Sequence, residues 1–96
     1  MIEVRQTETF MKWFRKLRDR KARVRIQARI DRMESENFGD VRPVGSGVSE
    51  MRIDYGPGYR VYFIQKGDQL IVLLAGGNKS TQSADIKNAI KIASEV

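Results

Sequence analysis

The sequence has no cysteine and no histidine. Without cysteine there is neither a disulfide framework nor a thiolate nucleophile. Without histidine the commonest metal ligand and the commonest general acid or base are both missing. Carboxylates alone make a poor zinc set, so no metal and no other cofactor is expected. Proline is scarce, at two residues, and tryptophan occurs once. No apolar run approaches the roughly 20 residues that span a bilayer, so no membrane association is expected. The opening MIEVRQTETF lacks a basic segment followed by an apolar one. That argues against a secretory signal and makes the cytoplasm the expected location.

What the sequence has in excess is positive charge. Eighteen Lys and Arg against twelve Asp and Glu give +6 in 96 residues. Such an excess suits polyanions: nucleic acid, an anionic surface or an acidic protein partner. Apolar residues make up 41% of the chain. That is enough for one compact domain over residues 1–96 and too much for a disordered chain.

The apolar periodicity predicts a strand over residues 2–5, then two helices. Thr7 is placed to cap the first, over 8–17, where Phe10, Trp13, Phe14 and Leu17 recur at the spacing of one buried face. Asp19 is placed to cap the second, over 20–35, with Ala22, Ile26, Ile30 and Met33 on its apolar side. At 100° per residue, Arg18, Lys21, Arg25, Arg29 and Arg32 gather on an adjacent arc. Like charges at these spacings repel by a few tenths of a kcal/mol per pair. Stability alone favours mixed signs, so this arc is a candidate surface for nucleic acid or an acidic partner.

Residues 36–47, ENFGDVRPVGSG, read as a loop because proline and glycine break the pattern. The period then becomes two. Met51, Ile53 and Tyr55 point one way, and Glu50, Arg52 and Asp54 the other. After the Gly-Pro-Gly corner, Tyr59, Val61 and Phe63 share one face, and Arg60, Tyr62 and Ile64 the other. LIVLLA, residues 70–75, reads as the most buried strand. A last helix is predicted over 84–95, burying Ile86, Ala89, Ile90 and Ala93. The order is β-α-α-β-β-β-α, an α+β fold in which a small, mainly antiparallel sheet packs against the N-terminal helix pair. The sheet's other face is expected to be open, with Glu50, Arg52, Asp54, Arg60 and Tyr62 on it. Two roles stand open for Arg60: an ion pair with Asp54 or Glu50, or a phosphate ligand. Tyr62 is the aromatic on this face that a nucleic acid could meet.

The helix pair, FGDVRPVGSGVSEMRIDYGPGYRVYF and VLLAGGNKSTQSADI together resemble the RelE/ParE toxin superfamily of bacterial toxin–antitoxin modules. More narrowly, they resemble the phage-derived, HigB-like addiction module killer protein group. The resemblance covers essentially the whole chain and implies a RelE-like fold. It implies a type II toxin that is one of three things. The first is a ribosome-dependent endoribonuclease that cleaves messenger RNA and arrests translation. The second is a non-enzymatic, ParE-like inhibitor of DNA gyrase. The third is a degenerate member that retains only antitoxin and DNA-complex binding. It also implies a helix-turn-helix antitoxin as cognate partner, with operator DNA reached only through the antitoxin complex. The ribosome and messenger RNA are the partners of the nuclease branch.

The nuclease pattern of that superfamily carries over position by position. Arg52 stands where the first of two strand lysines is found, and Asp54 where the second would be. Arg60 matches the arginine of GYR, and Lys79 the cation after the last strand. Asp85 lies roughly where a tyrosine is expected, so that tyrosine is missing. In metal-free RNA cleavage a base takes the 2′-hydroxyl proton and cations stabilise the phosphorane. Arg60, Arg52 and Lys79 are the candidate cations, with the planar fork of Arg60 suited to two phosphate oxygens. Asp54 and Asp85 are the candidate carboxylates.

Overall fold

The computed structural model describes residues 1–96. The elements are β1 (Glu3–Gln6), α1 (Glu8–Lys16), α2 (Arg20–Glu34), β2 (Val41–Gly45), β3 (Val48–Ile53), β4 (Tyr59–Lys66), β5 (Leu70–Asn78) and α3 (Gln82–Ala93). The five strands form one sheet in the order β1-β5-β4-β3-β2. β1 runs parallel to β5, and the other pairs are antiparallel. This α+β architecture, with a mixed sheet and three helices, is compatible with a RelE-like fold.

Both N-terminal caps form as their residue types predict. Thr7 Oγ1 accepts from Phe10 N at 3.2 Å and donates to the Leu74 carbonyl at 2.8 Å, which ties α1 to β5. Asp19 Oδ1 accepts from the Lys21 and Ala22 amides at 3.0 and 3.2 Å. Phe10 of α1 and Ala22, Ile26, Ile30 and Met33 of α2 are buried against Met51, Ile53, Tyr59, Val61, Phe63, Ile71 and Leu73. Trp13, Phe14 and Leu17 pack at the edge of the same cluster. The helix pair therefore covers one face of the sheet, as its periodicity requires.

The other face is not open. Val48, Tyr62, Ile64, Val72, Leu74 and Ala75 form a second core with Ala89, and Ile86 and Ile90 of α3 pack against it. Covered on both faces, β5 reads as an unbroken apolar run instead of an alternation. Beyond α3, the end of this face where Arg52 and Arg60 lie reaches solvent.

Two segments differ from the sequence expectation. Residues 41–45, expected in a loop, form the edge strand β2, paired with β3 from Val41–Met51 to Gly45–Val48. Pro43 is tolerated there because an edge strand has amides with no neighbour to bond. β5 runs on through Gly76, Gly77 and Asn78, also expected as loop. It carries a bulge: Tyr62 pairs with Ala75 but Phe63 with Leu73, so Leu74 is the extra residue. The bulge rephases the strand. Gly76 then faces Trp13 of α1 and Gly77 faces Asp85 of α3, and neither position has room for a Cβ.

Candidate functional site

The turn from β3 to β4 sets the site. Gly58 N donates to the Tyr55 carbonyl at 3.1 Å, and both Gly56 and Gly58 adopt positive φ, 57° and 79°. A left-handed conformation at two positions within three residues calls for glycine. The reversal places Arg52 opposite Arg60 across the two strands. Gly58 also clears space: a Cβ there would lie 3.4 Å from both Arg60 Nη1 and Lys79 Cβ.

Around this corner is a cleft of about 540 Å³, lined by Asp40, Arg52, Ile53, Asp54, Gly56, Pro57, Gly58, Arg60 and Lys79. Four of the five residues proposed from sequence for the chemistry thus meet in one place. The fifth, Asp85, does not line it. Its carboxylate accepts from the Thr81 hydroxyl in the first turn of α3 and covers Gly77.

Each arginine of the cleft is already engaged. Arg52 Nη2 donates to Asp40 Oδ1 at 2.8 Å. That bond holds the Asp40 carboxyl below the usual carboxylate range and raises the Arg52 guanidinium. Arg60 Nε lies 2.7 Å from Glu50 Oε1, and its Nη1 donates to the carbonyls of Gly58 and Tyr59 at 3.1 and 3.2 Å. Of the two ion-pair partners open to Arg60, the fold selects Glu50 and not Asp54. Arg60 Nη2 and Lys79 Nζ have no partner within the chain, and neither has the exposed carboxylate of Asp54.

Asp54 and Ile53 also line a smaller hollow of about 190 Å³, shared with Arg25, Ala28, Arg29 and Arg32 of α2. The basic arc and the corner cleft are therefore contiguous. Their arginines are not equivalent. Arg29 reaches across to donate to the Arg52 carbonyl at 2.6 Å and the Phe38 carbonyl at 3.2 Å. It is a strut between α2 and the sheet, in contrast to the open cation expected from the helical arc, and burial lowers its pKa. Arg25 lies over the Tyr55 ring at 4.7 Å. Lys21 is exposed and lines a further hollow with Arg20, Val24 and Arg25, whereas Arg18 is exposed and lines none of them.

Tyr62 is a correction. It was expected on an open face, but it is fully buried beneath α3, and its hydroxyl has no hydrogen-bond partner. Burial first, then the charges of Glu50 and Asp85, push its pKa up to about 12. In this fold it cannot stack on a base. Asp40 and Gln82 are the site residues that the sequence reading missed. Asp40 is placed by β2, whose register brings its carbonyl to the Arg52 amide at 2.9 Å. Gln82 donates to Glu50 Oε1 at 2.6 Å from the first residue of α3. No three Asp or Glu side chains come together in a way that could hold a metal ion. No helix is long and apolar enough to cross a membrane.

This geometry can be set against known proteins. The family model described as "Phage derived protein Gp49-like (DUF891)" matches residues 12–96. The chain belongs to the phage-derived Gp49-like family. The Gp49-like family is of RelE/HigB-like toxin type, in keeping with a toxin of a toxin–antitoxin module and with a cognate antitoxin as partner. The chain is also similar to an uncharacterized protein of Haemophilus influenzae. The two are 46% identical over 95 residues, which is 99% of this chain and 96% of the relative. The Gp49-like match includes all of the cleft and both basic hollows, because Asp40 to Lys79 and α2 lie inside it.

Proposed function

We propose that this Gp49-like chain is the toxin of a type II module and acts in the cytoplasm as a metal-independent, ribosome-dependent endoribonuclease on messenger RNA. The observation behind this reading is the meeting of Arg52, Arg60 and Lys79 in one cleft that continues into Arg25 and Arg32 of α2. A phosphodiester in the cleft would rest its non-bridging oxygens on Arg60 Nη2, Lys79 and Arg52. The cationic arc would hold neighbouring phosphates of the message or of ribosomal RNA. Asp54, the cleft carboxylate without a partner, takes the proton of the 2′-hydroxyl. The new P–O2′ bond forms as P–O5′ breaks. The negative charge that builds on the phosphorane is met by the three cations, and the leaving 5′ oxygen takes a proton from water. The products are a 2′,3′-cyclic phosphate and a 5′-hydroxyl. A helix-turn-helix antitoxin would silence such a cleft with acidic or apolar side chains.

Brief induction in cells followed by primer extension on abundant messages tests this. The expected result is discrete new 5′ ends within translated frames, and growth arrest that Arg60→Ala abolishes in a folded protein. A folded Arg60→Ala protein that remains fully toxic overturns the reading. A gyrase poison of ParE type is favoured by one specific observation: Asp40 and Glu50 already engage Arg52 and Arg60. Intact messages with induced DNA damage would identify that activity. No arrest at all on expression alone would identify a degenerate member that keeps only antitoxin and DNA-complex binding.

A further inference from the structure

Glu50 is the one charged side chain wholly withdrawn from solvent. A buried carboxylate is costly unless its oxygens are paired. Here the pairing is lopsided. Oε1 accepts from Gln82 Nε2 at 2.6 Å and has Arg60 Nε at 2.7 Å, an ion-pair contact whose N–H does not line up as a hydrogen bond. Oε2 has no hydrogen bond, and Arg42 Nε is 3.5 Å away. A neutral glutamine at this position could still accept from Gln82, but it would take the counter-charge from the nearly buried guanidinium of Arg60. The carboxylate therefore answers to Arg60.

The strand register brings the two together. Glu50 stands opposite Tyr62 and Arg52 opposite Arg60, so Glu50 and Arg60 are diagonal neighbours on the α3 side of the sheet. An arginine side chain is long and free to turn unless several of its nitrogens are held. Here Nε is buried in ion-pair contact with Glu50, Nη1 donates to the Gly58 and Tyr59 carbonyls, and the side chain is only 12% exposed. The nitrogen left for the cleft is Nη2.

We propose that Glu50 is the positioning residue of the cleft. It holds Arg60 so that the guanidinium offers Nη2 end-on to a phosphate, and Gln82 fixes Glu50 from α3. The Nε edge of Arg60 is then closed to ligand. Arg60 takes one phosphate oxygen, not two, and the other non-bridging oxygen falls to Lys79 or Arg52. This replaces the two-oxygen fork expected from residue type alone. The proposal rests on the cleft being the phosphate site of the toxin described above.

The test uses the purified full chain, with inorganic pyrophosphate as probe and nitrogen-15 NMR of the arginine side chains as readout. The proteins are wild type, Glu50→Gln, Arg60→Ala and the double variant. In wild type the Arg60 Nε–H should exchange with solvent at least about tenfold more slowly than those of exposed arginines, with no ligand present. Glu50→Gln keeps the volume and an oxygen for Gln82, so the fold should survive, as α3 amide shifts would report. If Glu50 acted only through its charge, removing it would tighten anion binding. Positioning has the opposite sign: Glu50→Gln should weaken pyrophosphate binding about threefold and speed Nε–H exchange. In the Arg60→Ala background Glu50→Gln should change nothing further, because a positioning residue acts through its partner. Tighter binding in Glu50→Gln, an equal loss in the Arg60→Ala background, or fast Nε–H exchange in wild type each overturns the proposal. Growth arrest is scored separately. A protein that fails to cleave messages but passes these arms loses the nuclease reading and keeps the positioning residue.

Discussion

Gly76 of β5 lies directly against the indole of Trp13, with no room between them for even one more carbon. This contact seats α1 on the sheet beside the end of β5 that leads to Lys79. Gly76→Ala would drive a methyl group into the ring. Overpacking of this kind costs about 1–3 kcal/mol. In a domain of this size each kcal/mol lowers the melting temperature by roughly 4–8 °C. Thermal melts followed by circular dichroism check it; an unchanged melting temperature would mean that the ring moves aside freely.

The buried hydroxyl of Tyr62 predicts alkaline lability. Its pKa is raised to about 12 by burial, against about 10 in the unfolded chain. The neutral form is the one the fold favours. Its contribution is complete below about pH 10 and is lost as pH rises toward about 12. Tyr62→Phe should flatten the fall in stability over that window, as read by denaturant titrations at stepped pH. At neutral pH the same variant should be as stable as wild type or slightly more so. The hydroxyl has no partner to lose, whereas a typical hydrogen-bonded group contributes about 1 kcal/mol.

Asp40 already holds Arg52, so it should compete with an anion for it. Asp40→Asn should tighten pyrophosphate binding by about two- to fivefold at low salt, and the gain should shrink as ionic strength rises. The Asp40 carboxyl is held below the usual range by the Arg52 hydrogen bond. The pair therefore persists on acidification until pH passes beneath that range, and then Asp40 protonates and releases Arg52. Isothermal titrations across acid pH should show the affinities of wild type and Asp40→Asn converging at the low end. A constant gap would mean that Asp40 does not compete.

How much of this was legible in the sequence depends on how many elements each feature needs. The faces of α1 and α2 follow from periodicity within one segment, and Phe10, Ala22, Ile26, Ile30 and Met33 are buried as read. The corner cations were legible for the same reason, since alternation along β3 and β4 places Arg52 and Arg60 together. Asp40 required knowing that VRPVG is a strand, and its proline and glycine argue the other way unless the strand is at an edge. Alternation puts Glu50 and Tyr62 on the correct face, but it reads that face as open. Its polar residues suggested solvent, and nothing local to β3 or β4 says that α3 returns to cover half of it. Gly76 and Gly77 read as loop residues because glycine is rare within strands. Here it answers to Trp13 and Asp85, contacts far away in sequence.

β1 is synthesised well before β5, the strand it pairs with. Glu3 to Gln6 can pair only with Leu70 to Leu73, and Thr7 waits for Leu74. Pairings of such long range form late in folding. Until the ribosome has made β5, nothing joins β1 to β4 and the corner lacks Lys79. A growing chain thus holds no finished cleft until β5 and Lys79 have been made.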